Sequence, residues 1–590
     1  MKRFIDRSPN YDKYPVVPIP GKAEVWEGWD KITTEIEQAL DALPEKKKIL
    51  VVECYQGILD EEVEQAFKKA FQSTLFINSS SAMLDESRLN ENLKDDITDD
   101  EIFGYLTRFN MDCFFDPEKV SALQKQIAAI ENGLIFVYGT GAAHIQPESD
   151  LLVYADMARW EIQMRFRKNL VGNIGVNNKD ERTALQYKRA FFVDWRVCDR
   201  FKKRWMGKCN YVLDTNIPGE PKMITRETFY AGLEEATKRP FRVVPFFDPG
   251  PWGGQWMKEV CDLDRDTANF AWCFDCVPEE NSLLLGIGEV RFEIPSIDLV
   301  FAYPKELLGD SVYGRFGDEF PIRFDFLDTM EGGNLSLQVH PLTEYIQEKF
   351  GMHYTQDESY YMLDTEDDAI VYLGLKEGID PEAMIRDLED AQTSGHFEAE
   401  KHVGCYPVKK HDHVLIPAGT IHCSGKNSMV LEISATPFIF TFKLWDWGRL
   451  GLDGRPRPIN IAHGKNVIQW DRTESWVRKE ILNRVETIAE GDGWTEEHTG
   501  LHEREFIETR RHWFTKPVVH KTDGCVNVLN LVEGREVIVE SPSGAFSPFV
   551  VHYAETFIVP GNVAEYTIRP YGKSEGTRCG TIKAFVRNHA

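Results

Sequence analysis

Long apolar runs are missing from this chain of 590 residues. Every hydrophobic stretch is broken by charge before it reaches the length that crosses a bilayer, so no spanning helix is expected. Basic excess is missing too. The formal net charge is −27, and a surface of that sign cannot displace counterions from phosphates, which excludes a nucleic-acid binder. It also offers anions no long-range attraction, so a phosphorylated ligand needs positive charge gathered at its own site. Cysteine is scattered rather than patterned. Of 11 cysteines only Cys273 and Cys276 form a C-x-x-C, with no second pair at a zinc-site spacing, and reduced, mostly buried thiols are expected. The opening segment Met1–Pro20 is polar and Pro-rich and lacks the apolar core of a secretory leader, which makes the cytoplasm the expected location.

What is present suits a core-forming protein: 42% apolar and 28% charged residues, in a length that accommodates about four domains. After a helix expected from Trp29 to Leu43, the run KKKILVVEC (46–54) reads as a buried strand, and LDEEVEQAFKKAF (59–71) has helical apolar spacing. GLIFVYG (133–139) and DLLVYADM (150–157) are further buried strands. Strands alternating with helices predict a parallel α/β domain over 1–217. This organisation resembles that of P-loop nucleoside kinases, with 150–169 similar to the strand and basic helix that carry the lid. An unrelated α/β domain remains equally open. At the phosphate-loop position stands ECYQGILDEE (53–62), with one glycine, no lysine and four acidic residues. A phosphate cradle needs close backbone approach and a lysine, so nucleotide chemistry is not expected, nor is a kinase–isomerase fusion with both activities.

From about residue 218 short alternating strands, Gly/Pro turns and aromatics predict barrel-like β structure. The expected division is a barrel over 218–470 with a helical insert at 381–392, a helical segment over 471–512, and a second small barrel over 513–590.

Three strand-like segments carry candidate chemistry. In LSLQVHP (335–341), alternation points Gln338 and His340 the same way. Glu358 opens ESYYMLD (358–364). His422 follows a Pro-Ala-Gly turn in VLIPAGTIHCSG (414–425). Each lies at or near a strand end, where a barrel mouth gathers side chains. Two imidazoles, a carboxylate and an amide oxygen suit zinc or a similar divalent ion. With Glu358 ionised the site keeps about one net positive charge, enough to stabilise an enediolate. A single buried histidine is more often a satisfied core residue, but four matching positions in order favour a metal site.

LSLQVHP, ESYYML, IPAGTIH and WDWGR (445–449) succeed one another as in type I mannose-6-phosphate isomerases. VVPFFDPGPWGG (243–254), FAWCFD (270–275), FPIRFDFLD (320–328) and VPGNVAEYTI (559–568) are similar to further segments of that family, so the resemblance covers about 240–590. It implies cupin (jelly-roll) barrels and one zinc ion per chain on Gln338, His340, Glu358 and His422. It implies a mannose 6-phosphate/fructose 6-phosphate interconversion through a cis-enediol, with Arg449 and Glu432 near the substrate. Arginine stays charged, so stabilisation suits Arg449 better than base chemistry; a surface ion pair with Asp446 is its bland alternative. The base is left open among a water, Glu432 and a histidine. The sequence departs from the family where Gln356 and Asp325 replace usual lysines, and Arg455 stands where the family usually has lysine. These changes motivate a second reading, a metal-containing sugar-phosphate binding or regulatory protein with weakened turnover.

Overall fold

The computed structural model describes residue 4 and residues 8–587 apart from 438, 453, 456 and 501. The chain forms two compact units, one of Val16–Glu235 with Ser282–Ala302, the other of Met1–Pro15, Ala236–Asn281 and Tyr303–Ala590.

The first unit is built on a seven-stranded sheet. Its five parallel strands are, in spatial order, Leu75–Asn78, Gly133–Gly139, Lys47–Cys54, Leu151–Asp156 and Tyr211–Asp214. Lys222–Thr225 and Val25–Glu27 extend the last edge antiparallel. Strand Leu151–Asp156 is buried at every position, as a central parallel strand covered on both faces must be. Helix Asp60–Ala70 follows the central strand with Asp60, Glu61 and Glu62 in its first turn and Lys68 and Lys69 in its last, matching the helix dipole.

Helix Arg226–Ala236 lies largely within this unit, and residues 282–302 return to it from beyond the expected limit at 217. The return has a physical cause. Lys202 is buried, and its ammonium lies 2.8 Å from Asp156 and 2.9 Å from Asp298. A buried ammonium needs such partners, and Asp298 is supplied only by the returning segment. A window reading of consecutive residues has no access to that pairing.

The second unit holds two antiparallel β assemblies. In the first, a six-stranded sheet runs His413–Ile416, Glu358–Thr365, Ser428–Ala435, Ile322–Asp328, Trp272–Cys276, Phe246–Asp248. A five-stranded sheet runs Val403–Pro407, Ile370–Leu375, His422–Ser424, Leu337–Val339, Phe442–Trp445. The expected helical insert is the helix Pro381–Ser394, capped by Asp380 and stopped at Gly395.

The segment 471–512 is corrected by the structure. It contains the helix Glu474–Glu480, and then the strands Glu486–Gly491 and Trp494–Gly500 pair as a hairpin. These strands begin the six-stranded sheet of the C-terminal assembly, which continues through Ile507–Phe514, Cys579–Val586, Asn527–Glu533 and Thr556–Val559. Strand Glu486–Gly491 is an exposed, charge-rich sheet edge, the composition that blunts edge pairing and also imitates a polar helix. The overlooked signal is Asp492-Gly493 between two alternating runs, with Gly493 at φ 82°.

Two buried histidines in this unit predict acid sensitivity. Burial, helped by Arg511, pushes His413 down to about 3, and burial also holds His520 well below its ordinary value, where it stacks on Tyr566. Both are neutral in the fold and protonate near 6.5 once unfolded. Their contribution is therefore complete above pH 6.5 and is lost as pH falls below it, at about 1.4 kcal/mol per pH unit for each group. Urea unfolding at pH 7.5 and 5 is expected to show this loss, and His520→Phe to reduce it. An unchanged pH slope in that variant contradicts the assignment.

Candidate metal centre

Backbone geometry fixes where the four candidate ligands stand. Gln338 sits in Leu337–Val339 and pairs across the sheet with His422, the first residue of His422–Ser424. His340 follows the first of these strands, and Glu358 opens Glu358–Thr365. The turn before His422 requires glycine. Gly419 has φ 87°, and a methyl there would stand 2.7 Å from Gln469 Cγ and 2.9 Å from Val467 O. Arg472 locks this turn by donating to the carbonyls of Pro417 and Ala418, both at 2.7 Å.

The structure brings His340, Glu358 and His422 into one cluster, each no more than 1% exposed. His340 Nε2 is 3.0 Å from Glu358 Oε2, and His422 Nε2 is 2.8 Å from Glu358 Oε1. The opposite ring nitrogens decide the tautomers. His340 Nδ1 faces the Phe440 carbonyl and His422 Nδ1 faces the Thr420 carbonyl, both at 2.9 Å. A carbonyl only accepts, so each Nδ1 carries a proton, and in the neutral ring this leaves an Nε2 lone pair facing the carboxylate.

Lone pairs facing a carboxylate repel unless a cation or added protons lie between them. Neither His340 Nε2 nor Glu358 Oε1 makes a hydrogen bond. Burial pushes the His340 imidazole down, but Glu358 outweighs it and the net direction is up. Burial likewise raises Glu358, yet positive charge on the two rings would hold it well below the usual carboxylate range. Gln338 completes the set, its Nε2 3.1 Å from His422 Nε2. Rotation of the amide presents its oxygen to the same point. The donor set therefore fits a divalent cation.

The other named residues are placed differently. Glu432 is buried beside the cluster. Its cross-strand partner is Asp325, and Arg323 bridges both acids, with Nε 2.9 Å from Asp325 Oδ2 and Nη2 on Glu432 Oε1. Burial raises the Glu432 carboxyl to about 7, against the pull of Arg323. Gln356 donates from Nε2 to Glu358 Oε2 at 3.0 Å. Arg449 is engaged by its own neighbours. Its guanidinium donates to Asp446 Oδ1 at 2.6 Å and to the Asn334 carbonyl at 2.5 Å, so the ion pair considered as its alternative role is formed. Asp446 also takes Arg457 and Ser336.

Sequence reading missed Arg323, Asp357 and Tyr360. Burial and its nearby charges bring Asp357 to about 6 while it accepts Ala418 N, and the Tyr360 hydroxyl is buried without a hydrogen bond. A signal for Arg323 was available. In Ile322–Asp328, Arg323 and Asp325 alternate with Phe324 and Phe326 in a strand buried at every position, so two charges share one buried face.

A β assembly with a buried His–Glu–His cluster at its strand ends defines the class of site. The particular likeness is to mannose-6-phosphate isomerases, to which the chain is homologous over part of its length. It is 26% identical to the mannose-6-phosphate isomerase of Streptococcus mutans over 219 residues, 37% of this chain and 64% of that protein. It is 28% identical to mannose-6-phosphate isomerase ManA of Bacillus subtilis over 234 residues, 40% of this chain and 69% of ManA. The crystal structure of mannose 6-phosphate isomerase from Bacillus subtilis aligns with 58% of this chain and 99% of its own at 20% identity, with a TM-score of 0.47. Residues 28–238 match a family described as a domain of unknown function (DUF8485).

Proposed function

We propose that the chain is a zinc-dependent aldose–ketose isomerase that interconverts mannose 6-phosphate and fructose 6-phosphate. The observation that carries this reading is the pair of imidazole Nε2 atoms aimed at the Glu358 carboxylate, each with its Nδ1 tied to a backbone carbonyl, in a buried site of a chain homologous to such isomerases. Gln338, His340, Glu358 and His422 would hold one zinc ion. Zinc there supplies positive charge that stabilises negative charge developing on substrate oxygens. The backbone carbonyls of Phe440 and Thr420 orient the two imidazoles and fix their tautomers. Glu432, raised to about 7, is suited to taking and returning a proton at its carboxyl oxygens near neutral pH. Arg323 positions Glu432 and offsets the charge of Asp325. Arg449 would contribute fixed positive charge toward an anionic substrate rather than act as a base.

A second reading, a metal-containing sugar-phosphate binding or regulatory protein, is favoured by one observation. Gln356 and Asp325 leave Arg323 among Asp325, Glu358 and Glu432, and its contacts are spent on Asp325 and Glu432. The test is the zinc-loaded chain assayed for fructose 6-phosphate formed from mannose 6-phosphate. Turnover is expected; saturable binding of the sugar phosphate without turnover selects the second reading.

For the first unit, the parallel strand order is compatible with a P-loop-kinase-like framework. The acidic loop after Lys47–Cys54 supports a framework without nucleotide chemistry.

A further inference from the structure

The first unit contains a cavity of about 960 Å³ at the carboxyl ends of its parallel strands. Its lining combines the loop after Lys47–Cys54, the start of Asp60–Ala70, the ends of Leu75–Asn78 and Gly133–Gly139, and the loop 169–179. The central strand Lys47–Cys54 leads to Leu75–Asn78 on one side, while its neighbour Leu151–Asp156 leads to Tyr211–Asp214 on the other. A sheet whose connections diverge in this way opens a crevice there, where ligands of α/β folds bind.

Buried polar bolts hold the walls apart. Gln56 donates to the Gly172 carbonyl at 2.8 Å and accepts from Trp195 Nε1 at 2.9 Å. Asn173 donates to Asp194 at 2.7 Å, and Arg189 to the Ile174 carbonyl at 2.6 Å. The cavity is thus formed before any ligand arrives, which lowers the ordering cost of binding.

Its chemistry is opposite to that of a phosphate site. Just beyond the lining residue Thr140, the backbone amides of Gly141 and Ala143 are taken by the Glu53 carboxylate, each at 2.8 Å. The lining carries Asp60, Glu61, Glu62 and Glu86 against one cation, Lys179. At the floor, a methyl placed on Gly139 would stand 2.5 Å from Ser79 Oγ, 3.4 Å from Asn78 Oδ1 and 3.5 Å from Asp60 Oδ2, so these three oxygens converge on one spot.

We infer that this cavity binds a cationic, hydroxyl-bearing amine and excludes phosphorylated ligands. Carboxylates answer the ammonium, and the amides and hydroxyls of the wall answer the ligand hydroxyls. Burial and nearby Glu64 raise Asp60 to about 6, the condition of a carboxylate short of positive charge.

The test uses the full chain and titrates glucosamine, glucose, glucose 6-phosphate and ATP with magnesium by calorimetry. Glucosamine is expected to bind at least about tenfold tighter than glucose, one such step being about 1.4 kcal/mol. Asp60→Asn is expected to erase that preference while the melting temperature stays level or rises, and Glu86→Gln to weaken it in the same direction. Any binding of glucose 6-phosphate is expected to be the same in wild type and Asp60→Asn. Absence of saturable glucosamine binding overturns the inference, as does glucosamine binding indifferent to both substitutions. Glucose 6-phosphate or ATP binding that Asp60→Asn alters also overturns it.

Discussion

Replacing His422 with alanine is expected to lower bound zinc from about one ion per chain to under about a tenth of that, and to cut isomerase turnover at least about 10³-fold. The size follows from the donor set. His422 Nε2 meets Glu358 Oε1 at 2.8 Å and Gln338 at 3.1 Å, so its loss removes one ligand and frees two others from their alignment. Burial also prevents solvent from replacing it readily. Two measurements separate metal loss from unfolding. Metal analysis after exhaustive dialysis reads occupancy. Thermal unfolding with and without added zinc reads linkage, which stabilises the wild type by about 4 kcal/mol when free zinc is a thousand times its dissociation constant. The variant is expected to lose this stabilisation while its chelated form unfolds like the chelated wild type. Zinc retained by a folded His422→Ala protein sinks the assignment.

The backbone positions of the candidate ligands were legible because they are local. Alternation in a strand puts Gln338 and His340 on one side, and the Pro-Ala-Gly turn sets His422 at a strand start. These follow from a few consecutive residues. Facts that need distant partners were not legible. The Lys202 ammonium recruits Asp298 from a segment nearly a hundred residues on, so the first unit is not contiguous in sequence. The Arg449–Asp446 ion pair, by contrast, spans three residues and was among the readings of the sequence. The stretch 471–512 was misread because exposed, charged edge strands carry no apolar periodicity of either kind.

Arg323→Leu is expected to destabilise the second unit by about 3–5 kcal/mol, the usual cost of stranding a buried charge partner. Arg323 is 3% exposed and is the cation on both Asp325 and Glu432, which face one another across two strands. Without it, like charges oppose each other directly beside Glu358, and at least one acid must take up a proton. The family's usual lysine at position 325 would pair with Glu432 across the strands. Here the positive charge stands two residues earlier on the same strand face, and an acid has taken the lysine's place. Arg323 thus supplies beside Glu432 the cation that Asp325 does not. Asp325→Lys combined with Arg323→Leu should recover most of the lost stability, since it restores one cation opposite Glu432. Urea unfolding of the two single variants and the double variant measures the coupling. Additive losses would show that the two positions do not share Glu432 as a partner, whereas a double variant more stable than Arg323→Leu alone shows that one cation opposite Glu432 restores the lost stability.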